Sequence, residues 1–378
     1  MILNFQWLRN RRRWNMTGNK IAIIGTVGIP ANYGGFETLA ENLVRYHDSS
    51  LMKDAISVYC SSKHYPSKAP TYLSARLKYV PFNANGIESI PYDIFSLLSA
   101  VGQRNDVILL LGVSGAIALP LVRLISRARI VTNIDGIEWR RQKWRGLAKH
   151  FLRFSERLAV RFSDDVITDN GAIDEYVTRR YNVKSHVIAY GGDNAVDVEA
   201  LSVSELILPI SYAFSVCRIE PENNVGLILE AFLQFGSQSL VMVGNWGNSE
   251  YGRTLRKKYA SCSNLFLLDP IYSLGKLKTL RSQAMLYVHG HSAGGTNPSL
   301  VEAMHFGLPI LAFDCVFNRN TTENRAIYFT TSEELVNLLR KASSLELKKI
   351  GSDMLEVAQR RFRWSEISKQ YFSLLGAS

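Results

Sequence analysis

The sequence predicts an α/β protein in two halves, each built on a parallel sheet that helices cover on both faces. From residue 20 onward, short β-branched runs alternate with amphipathic stretches. This alternation pauses between residues 193 and 209 and then starts again. The 378 residues are too many for one ordinary core and enough for two. Two facing halves would place a cleft at the carboxyl ends of both sheets, where ligands bind.

In the first half, strands and helices are predicted in alternation. Helices are expected over residues 36–46 and 173–181, which are amphipathic. The predicted strands are 21–25, 56–60, 77–80, 107–111, 130–133, 166–168 and 186–189.

The second half follows the same alternation, although no repeat is visible in the sequence itself. The predicted strands are 212–216, 240–243, 265–268, 285–289 and 310–313. The predicted helices are 225–235, 298–306 and 332–341. A last helix, 364–375, places five apolar residues on roughly one face: Trp364, Ile367, Tyr371, Phe372 and Leu375.

The charge balance requires an anionic partner. Lys and Arg number 44 against 33 Asp and Glu, a formal net charge of +11. Nucleic acid, an anionic membrane surface and phosphorylated small molecules are the three classes of partner that fit. No zinc-finger spacing or RNP-type motif is present, so nucleic acid is not expected.

Much of the positive charge is concentrated between residues 139 and 161. Only Glu156 is acidic there, and the basic residues alternate with aromatic and apolar ones. The stretch could contact a membrane, or it could be a solvated helix face that packs its Trp and Phe residues inward. The basic residues are Arg140, Arg141, Lys143, Arg145, Lys149, Arg153, Arg157 and Arg161.

Neither a membrane span nor a secretory signal is expected. The longest uncharged run, 107–122, has 16 residues, fewer than the roughly 20 that a spanning helix needs. Basic residues follow the first apolar residues directly, without a cleavage site. The four cysteines are far apart, which suggests reduced thiols in a cytoplasmic protein. Residues 1–19 are interpreted as a basic extension or as the product of a start codon assigned too early.

The first glycine-rich motif lies between the first predicted strand and helix. Gly34 and Gly35 would let backbone N–H groups approach a phosphate, and the next helix adds the positive end of its dipole. The alternative is a turn that only connects strand and helix. Gly25 and Gly28 do not form the dinucleotide-binding pattern.

The second motif precedes the helix predicted from Pro298. Thr296 or Asn297 is a good N-cap and Pro298 suits the first helical position. The helix would therefore start at Gly294 and Gly295, with free N–H groups directed into the cleft. Glu302, about one turn further, could accept hydrogen bonds from ribose hydroxyls. The alternative, a capped structural helix with Glu302 in solvent, does not explain the glycine pair.

Two more motifs follow strands. Arg218 comes after strand 212–216, where it could neutralise a diphosphate, although an ion pair with Glu220 or Glu222 is an equal alternative. After strand 130–133, Asp135 and Glu138 could orient sugar hydroxyls and Trp139 could stack on a sugar. An Asp-Gly turn followed by a helix cap explains the same residues.

Other strand ends give weaker signals. Residues 169–171 and 190–193 could line the cleft, but ordinary turn chemistry explains them as well. His289 and His291 have metal-type spacing, yet no carboxylate or cysteine stands nearby in sequence to complete a site. No metal is therefore expected.

Together these motifs resemble the retaining GT-B glycosyltransferases of family four. The resemblance is carried by Gly34-Gly35, Arg218 and the segment 294–309 with Glu302, and it spans residues 20–375. Segments 25–38 and 133–140 are similar to the bacterial branch that includes β-1,4-rhamnosyltransferases.

The resemblance implies a GT-B fold of two Rossmann-like domains facing a central cleft, with a C-terminal helix that crosses back to the first domain. The implied parts are a basic extension (1–19), an acceptor-binding domain (20–200), a nucleotide-sugar-binding domain (201–360) and a crossover helix (361–378).

The resemblance also implies roles for individual residues. Catalysis would involve Asp135 and Arg218. Donor binding would involve Gly34, Gly35, Arg218, Asn224, Gly294, Gly295, Thr296, Asn297 and Glu302. Acceptor binding would involve Tyr33, Glu37, Asp135, Glu138, Trp139 and Arg140. Two departures stand out, because Gly294 replaces a usual glutamate and Asn223 and Asn224 stand where a lysine is usual. Backbone N–H groups of residues 294–297 are the expected replacements.

The implied reaction transfers L-rhamnose from dTDP-L-rhamnose, with retained configuration and no cofactor or metal. The implied acceptor is an undecaprenyl-diphosphate-linked oligosaccharide of O-antigen or capsule synthesis. The enzyme would be cytoplasmic and peripherally attached to the inner membrane face. Alternatives are another hexose from a UDP or GDP donor, a nucleotide-sugar epimerase, a nicotinamide-dependent oxidoreductase and a non-catalytic adaptor.

Overall fold

A computed structural model describes residues 18–31, 34–134, 136–137, 139, 146–341 and 344–377. Its first sheet has eight strands in the order β3-β4-β2-β1-β5-β6-β7-β8. All neighbouring pairs are parallel except β3 and β4, which are antiparallel. The strands are β1 (Lys20–Ile24), β2 (Ala55–Ser61), β3 (Thr71–Tyr72), β4 (Ala75–Val80), β5 (Val107–Leu111), β6 (Arg129–Ile134), β7 (Asp165–Thr168) and β8 (His186–Val187).

Five helices cover this sheet on both faces. Leu39 and Leu43 of the first helix pack on one face of the sheet, and Leu97, Val122 and Val177 of other helices pack on the opposite face. The helices are α1 (Gly35–Ser49), α2 (Ser89–Gly102), α3 (Leu119–Ile125), α4 (Gly146–Phe162) and α5 (Gly171–Tyr181).

The second sheet has six strands, all parallel, in the order β11-β10-β9-β12-β13-β14. The short helix α6 (Asn194–Asp197) precedes it along the chain. The strands are β9 (Tyr212–Val216), β10 (Ser239–Val243), β11 (Leu265–Leu268), β12 (Leu286–His289), β13 (Ile310–Phe313) and β14 (Ile327–Phe329).

Helices also cover both faces of the second sheet. One core layer contains Leu300, Met304 and Met354, and the other contains Ile228 and Leu335. The helices are α7 (Val225–Phe235), α8 (Glu250–Tyr259), α9 (Leu274–Ser282), α10 (Pro298–His305), α11 (Val316–Thr321), α12 (Ser332–Lys341) and α13 (Ser344–Arg361). One more helix, α14 (Trp364–Leu375), follows them in the chain and packs elsewhere.

The last helix, α14, returns to the first half. Its five predicted apolar residues are all buried in the core beneath α1. The ring centroids of Tyr46 and Phe372 lie 6.0 Å apart in a stacked arrangement. The side-chain amide of Asn133 donates to the Tyr371 hydroxyl at 2.5 Å. Nearby, the side-chain amide of Asn19 donates to the Gly376 carbonyl oxygen at 2.7 Å. The predicted fold class, including the crossover helix, is confirmed.

All twelve predicted strands and all six predicted helices are present in the structure. The uncharged run 107–122 consists of strand β5, a connecting turn and the start of α3. The short strands β3 and β14 were not predicted. Among the described residues, no helix combines the length and apolar character needed to cross a membrane.

Candidate active site

The start of α10 and the end of β9 lie side by side at the carboxyl edge of the second sheet. Strands β9 and β12 are hydrogen-bonded neighbours. The Tyr287 hydroxyl lies 3.2 Å from the Val216 carbonyl oxygen and 3.1 Å from the Ser299 hydroxyl. Burial raises the pKa of Tyr287, so its hydroxyl keeps its proton and holds the two segments together.

Further hydrogen bonds join the loops that follow these two strands. The Ser292 amide and hydroxyl both donate to the Glu222 carbonyl oxygen, at 3.0 and 2.8 Å. The Asn224 side chain donates to the Gly290 carbonyl oxygen at 2.8 Å. The loop that carries Arg218 and the loop that carries the glycine pair therefore form one connected rim.

Arg218 presents an accessible cation on this rim. Its side chain is 43% exposed, and its guanidinium lies 3.9 Å from the Glu220 carboxylate. The Asn223 side chain donates to the Arg218 carbonyl oxygen at 2.6 Å, which fixes the backbone beneath it. The ion pair with Glu220 exists but is long and half-exposed, and such pairs contribute little. The guanidinium can therefore turn to a bound anion at small cost.

The first turn of α10 differs in detail from the expectation. Asn297 is the N-cap, and its side chain accepts the Ser299 amide at 3.0 Å. Gly294 has a φ of 119°, a conformation that side chains disfavour. However, the Thr296 amide donates to an oxygen of Asp169 at 3.1 Å. The expectation that the Thr296 amide is free and faces an open cleft is wrong, because the carboxylate of Asp169, a residue of the first half, accepts its hydrogen bond.

Glu302 forms an ion pair with Arg281 of α9. The Arg281 side chain is 1% exposed and that of Glu302 is 13% exposed. The alternative in which Glu302 stands in solvent is therefore excluded. Within the described part of the chain, Nε and Nη1 of Arg281 have no hydrogen-bond partner, so the guanidinium is held mainly by this carboxylate.

A cavity of about 100 Å³ opens beside Arg218. It lies past the carboxyl ends of β9, β10 and β11, where an open sheet binds ligands. Six of its lining residues come from the loops after β10 and β11: Gly244, Asn245, Asn248, Pro270, Ile271 and Tyr272. Sequence reasoning missed them, because they belong to ordinary turns without a motif, and only the sheet order brings them to Arg218.

In the first half, Gly34 is the N-cap of α1, with a φ of 142°. A Cβ there would lie 1.8 Å from Oε2 of Glu37. The other oxygen, Oε1, accepts the Val27 amide at 2.9 Å, and Glu37 is 8% exposed. Gly35 packs beside the Tyr190 hydroxyl. The structure thus gives Glu37 an internal bracing role, and its acceptor contact stays a prediction.

Trp139 lies in a cluster with Glu156, which is buried. Its indole nitrogen donates to Glu156 at 3.1 Å, and the Tyr176 hydroxyl donates to the same carboxylate at 2.6 Å. The indole has three cations 5.5 to 5.7 Å from its ring: Lys149, Arg153 and Arg180. The ring is therefore already engaged, and stacking on a sugar stays a prediction. Tyr33, Asp135, Glu138 and Arg140 lie outside the described residues.

The two halves meet through turns that follow β6 and β7. A Cβ on Gly136 would lie 3.4 Å from the Gly294 Cα. The Asn170 side chain lies 3.2 Å from the Thr321 hydroxyl, and the Gly171 amide donates to the Asn320 side chain at 3.2 Å. The turn at 169–171 therefore faces the other half, in agreement with the cleft-lining interpretation.

His289 lies beneath this rim, with its ring stacked 4.5 Å from that of His291. Burial lowers the pKa of His289 to about 3, so the imidazole is neutral near pH 7. Neither of its ring nitrogens has a partner among the described residues. Over the same residues, no group of three or more His, Cys, Asp or Glu side chains is placed to hold a metal ion.

Two protein families match the chain, and the boundary between the two matches falls between the two sheets. Residues 209–360 match the family described as Glycosyl transferases group 1. Residues 18–193 match the family described as Domain of unknown function (DUF1972). No curated protein matches the sequence significantly.

Solved structures resemble the whole chain. Sucrose-phosphate synthase from Thermosynechococcus elongatus superposes with a TM-score of 0.80 at 15% identity, over 94% of this chain and 98% of that one. The chain has the GT-B fold. Anabaena HepE in complex with UDP gives a TM-score of 0.67 at 17% identity, over 94% and 99% of the two chains. Starch synthase IV from Arabidopsis thaliana, bound to ADP and acarbose, gives 0.67 at 13% identity, over 95% and 99%.

Proposed function

We propose that the protein is a retaining glycosyltransferase that moves a sugar from a nucleoside diphosphate to a hydroxyl of an acceptor glycan. The observation that carries the proposal is the shared rim, on which Arg218 and the start of α10 are joined through Tyr287. The match of residues 209–360 to Glycosyl transferases group 1 supports it. The UDP and ADP complexes of proteins with the same fold support a nucleotide donor.

The leaving group of such a reaction is a diphosphate, on which negative charge grows. A charge-assisted hydrogen bond from Arg218 contributes about 1.5–3 kcal/mol, and a helix terminus roughly 0.3–2 kcal/mol. Micromolar to millimolar donor binding requires about 4–8 kcal/mol. The remainder must come from the base and the ribose, for which the cavity beside Arg218 and the carboxylate of Glu302 are the available partners.

The reaction route follows from the charges on the rim. Arg218 and the amides near Gly294 stabilise the departing diphosphate, and one of its oxygens can take the proton of the attacking hydroxyl on the same face of the sugar. Asp135 is proposed to position the acceptor. Closure of the two halves excludes water, which would otherwise hydrolyse the donor. No cofactor or metal takes part in this scheme.

The proposed donor is dTDP-L-rhamnose and the proposed acceptor is a lipid-linked oligosaccharide of O-antigen or capsule synthesis. Support for the sugar comes from segments 25–38 and 133–140, which resemble bacterial rhamnosyltransferases. Another hexose from UDP or GDP is the alternative, since proteins with this fold also bind UDP and glucose.

A second surface supports attachment to an anionic membrane. Helices α3 and α4 are joined by the Arg123 side chain, which donates to the Phe162 carbonyl oxygen at 2.7 Å. Together they expose an apolar patch, defined as Leu121, Leu124, Ile125, Leu147 and Phe154. Leu124 is 83% exposed and Leu147 is 90% exposed.

Cations border this patch on α4. Lys149, Arg153 and Arg157 are exposed, whereas Glu156 of the same helix is buried. Each cation near an anionic surface contributes about 1 kcal/mol. The combination of exposed apolar and basic side chains is that of a peripheral contact rather than an inserted segment. We therefore propose that the protein acts at the inner face of the plasma membrane.

A thermal-shift panel with dTDP, UDP, GDP and NAD, followed by transfer assays with the matching sugar donors, tests the enzymatic proposal. Stabilisation by dTDP and transfer of rhamnose with the anomeric configuration retained are expected. Product appearing without an acceptor would favour the epimerase, and stabilisation by NAD alone would favour the oxidoreductase. No stabilisation by any nucleotide would contradict the proposal.

Vesicle sedimentation tests the membrane surface. The protein should bind vesicles of phosphatidylcholine with phosphatidylglycerol more strongly than phosphatidylcholine alone. Leu124→Ser with Leu147→Ser should weaken this binding. The matched control is Ile207→Ser with Ile210→Ser, which are 87% and 105% exposed in the second half and should leave it unchanged. Equal loss in both double variants would count against the patch.

A further inference from the structure

Asp169 extends from the first half to the start of α10. It is 2% exposed and directly follows β7. One carboxylate oxygen accepts the Thr296 amide at 3.1 Å, and its carbonyl oxygen accepts the Thr296 hydroxyl at 2.5 Å. A buried negative charge of one half is thus bound to the amide end of a helix in the other half.

The contact is close along the backbone as well. A Cβ on Gly295 would lie 1.9 Å from Oδ1 of Asp169, a distance that real Cβ atoms do not show. The glycine therefore permits the carboxylate to lie against the helix start. A side chain at Gly295 would collide with this carboxylate, so this glycine serves the contact between the two halves.

A carboxylate and a phosphate compete for the same kind of partner. Amide donors at a helix start favour negative charge, and two anions at one such end repel each other strongly where water is excluded. The donor diphosphate of the proposed function would therefore meet Asp169 at the Thr296 amide. The Thr296 N–H has one proton, so it cannot donate a full hydrogen bond to both anions at once.

We propose that Asp169 is an intrinsic competitor of the donor diphosphate at the start of α10. Donor binding displaces its carboxylate from the Thr296 amide. Its return after transfer favours release of the nucleoside diphosphate. The inference rests on the proposed function, and it identifies Asp169 as a residue that sets nucleotide affinity.

The surrounding contacts make the charge of Asp169 separable from its packing. Asn170 and Gly171 bond to Thr321 and Asn320 of the second half through neutral groups, and these bonds do not involve the carboxylate. Asp169→Asn keeps the size of the side chain and an oxygen that can accept the Thr296 amide. It removes the negative charge and replaces the second carboxylate oxygen with an NH2 group.

Calorimetric titration of the full chain with dTDP and with UDP tests the proposal. Asp169→Asn should bind the nucleoside diphosphate about tenfold or more tightly than the wild type, because a like charge is removed from the site. Asp169→Glu, which keeps the charge, should not. The matched control is Asp193→Asn, which also loses a carboxylate at a helix start, where it accepts the Trp364 amide at 2.8 Å. It should bind as the wild type does.

The outcomes separate this proposal from the proposed function. Wild-type binding with unchanged or weaker binding by Asp169→Asn overturns the competitor and leaves the transferase intact. Binding by Asp169→Asn but not by the wild type supports it. Binding by neither overturns both. If Asp169→Asn does not fold, as judged by circular dichroism, Asp169→Ala is titrated in its place, with the same expected direction.

Discussion

The two halves have the same doubly wound plan, but their carboxyl edges differ in what they present. The second edge presents side chains that internal hydrogen bonds fix in place, with Arg218, Tyr287 and Glu302 on one connected rim. The first edge presents mainly glycine turns, such as Gly34 and Gly136, that fit closely against other groups. A shared fold therefore does not assign shared chemistry. Among the described residues, the charged groups of the candidate site are concentrated in the second half, and the closely fitting glycines in the first.

The largest effect is expected for two charged residues of the second edge, and its absence would contradict the difference drawn between the two edges. Arg218→Ala and Glu302→Ala should each lower the rate of transfer by roughly 100-fold or more, because each removes a group that is proposed to contact the donor. Circular dichroism should show both folded. The control is Arg256→Ala, an exposed cation of the same half paired with Asp269. Wild-type turnover in both site variants would reject the assignment.

Arg281 tests whether the second edge depends on a buried ion pair. Arg281→Gln leaves Glu302 without its cation in a mostly buried position, and breaking such a pair costs about 3–5 kcal/mol. Urea unfolding should show this loss, together with weaker nucleotide binding. Arg360→Gln, which removes a 48% exposed cation, should change stability by less than about 1 kcal/mol. Similar losses of unfolding free energy in both variants would show that burial does not determine how much an ion pair contributes.

The pH dependence of stability compares a histidine of each half. The folded protein lowers the pKa of His289 to about 3 by burial, so below about pH 6.5 the unfolded chain binds the extra proton. Stability contributed by neutral His289 is therefore present above that pH and falls by about 2–3 kcal/mol between pH 7 and 4.5. His47 of α1, whose pKa burial also lowers, acts in the same direction.

Urea unfolding at these two pH values checks the prediction. In His289→Gln, the difference in unfolding free energy between the two pH values should be smaller than in the wild type. An unchanged difference would show that His289 is not the group responsible.

The smallest expected effect concerns the apolar patch. Leu124→Ser should change the unfolding free energy by less than about 0.5 kcal/mol, because the residue is 83% exposed. Leu300→Ala in the second core should cost about 2–5 kcal/mol, because the side chain is fully buried. Thermal or urea unfolding of both measures the contrast. A large loss in Leu124→Ser would mean that this residue supports the fold rather than a surface.

The sequence predicted the regular elements well, because buried parallel strands and amphipathic helices leave periodic apolar patterns. It also located α10 and the helix α14 that crosses back. A strand of two or three residues leaves only a weak pattern, so β3 and β14 were missed, whereas β8 of similar length was found within the longer predicted segment 186–189. The positions of individual strands and helices were therefore predictable wherever the apolar pattern lay within one segment of the sequence.

The site was predictable only where a motif marked it. The pairing of Glu302 with Arg281, 21 residues away, joins groups from different helices. The contact of Thr296 with Asp169 spans 127 residues and depends on how the two halves meet. Neither follows from spacing along the chain. The free amide predicted at Thr296 was wrong for the same reason, since the occupying group belongs to the other half.

The position of α14 has a consequence for how the protein forms as it leaves the ribosome. Its apolar residues complete the core of the half that is synthesised first. Until residues 364–375 emerge, Leu39 and Leu43 of α1 lack part of their covering, although most of that half has already been made. The half that is synthesised first is therefore sealed only once residues 364–375 have been made, and a nascent chain stopped before Trp364 would expose an apolar surface to chaperones.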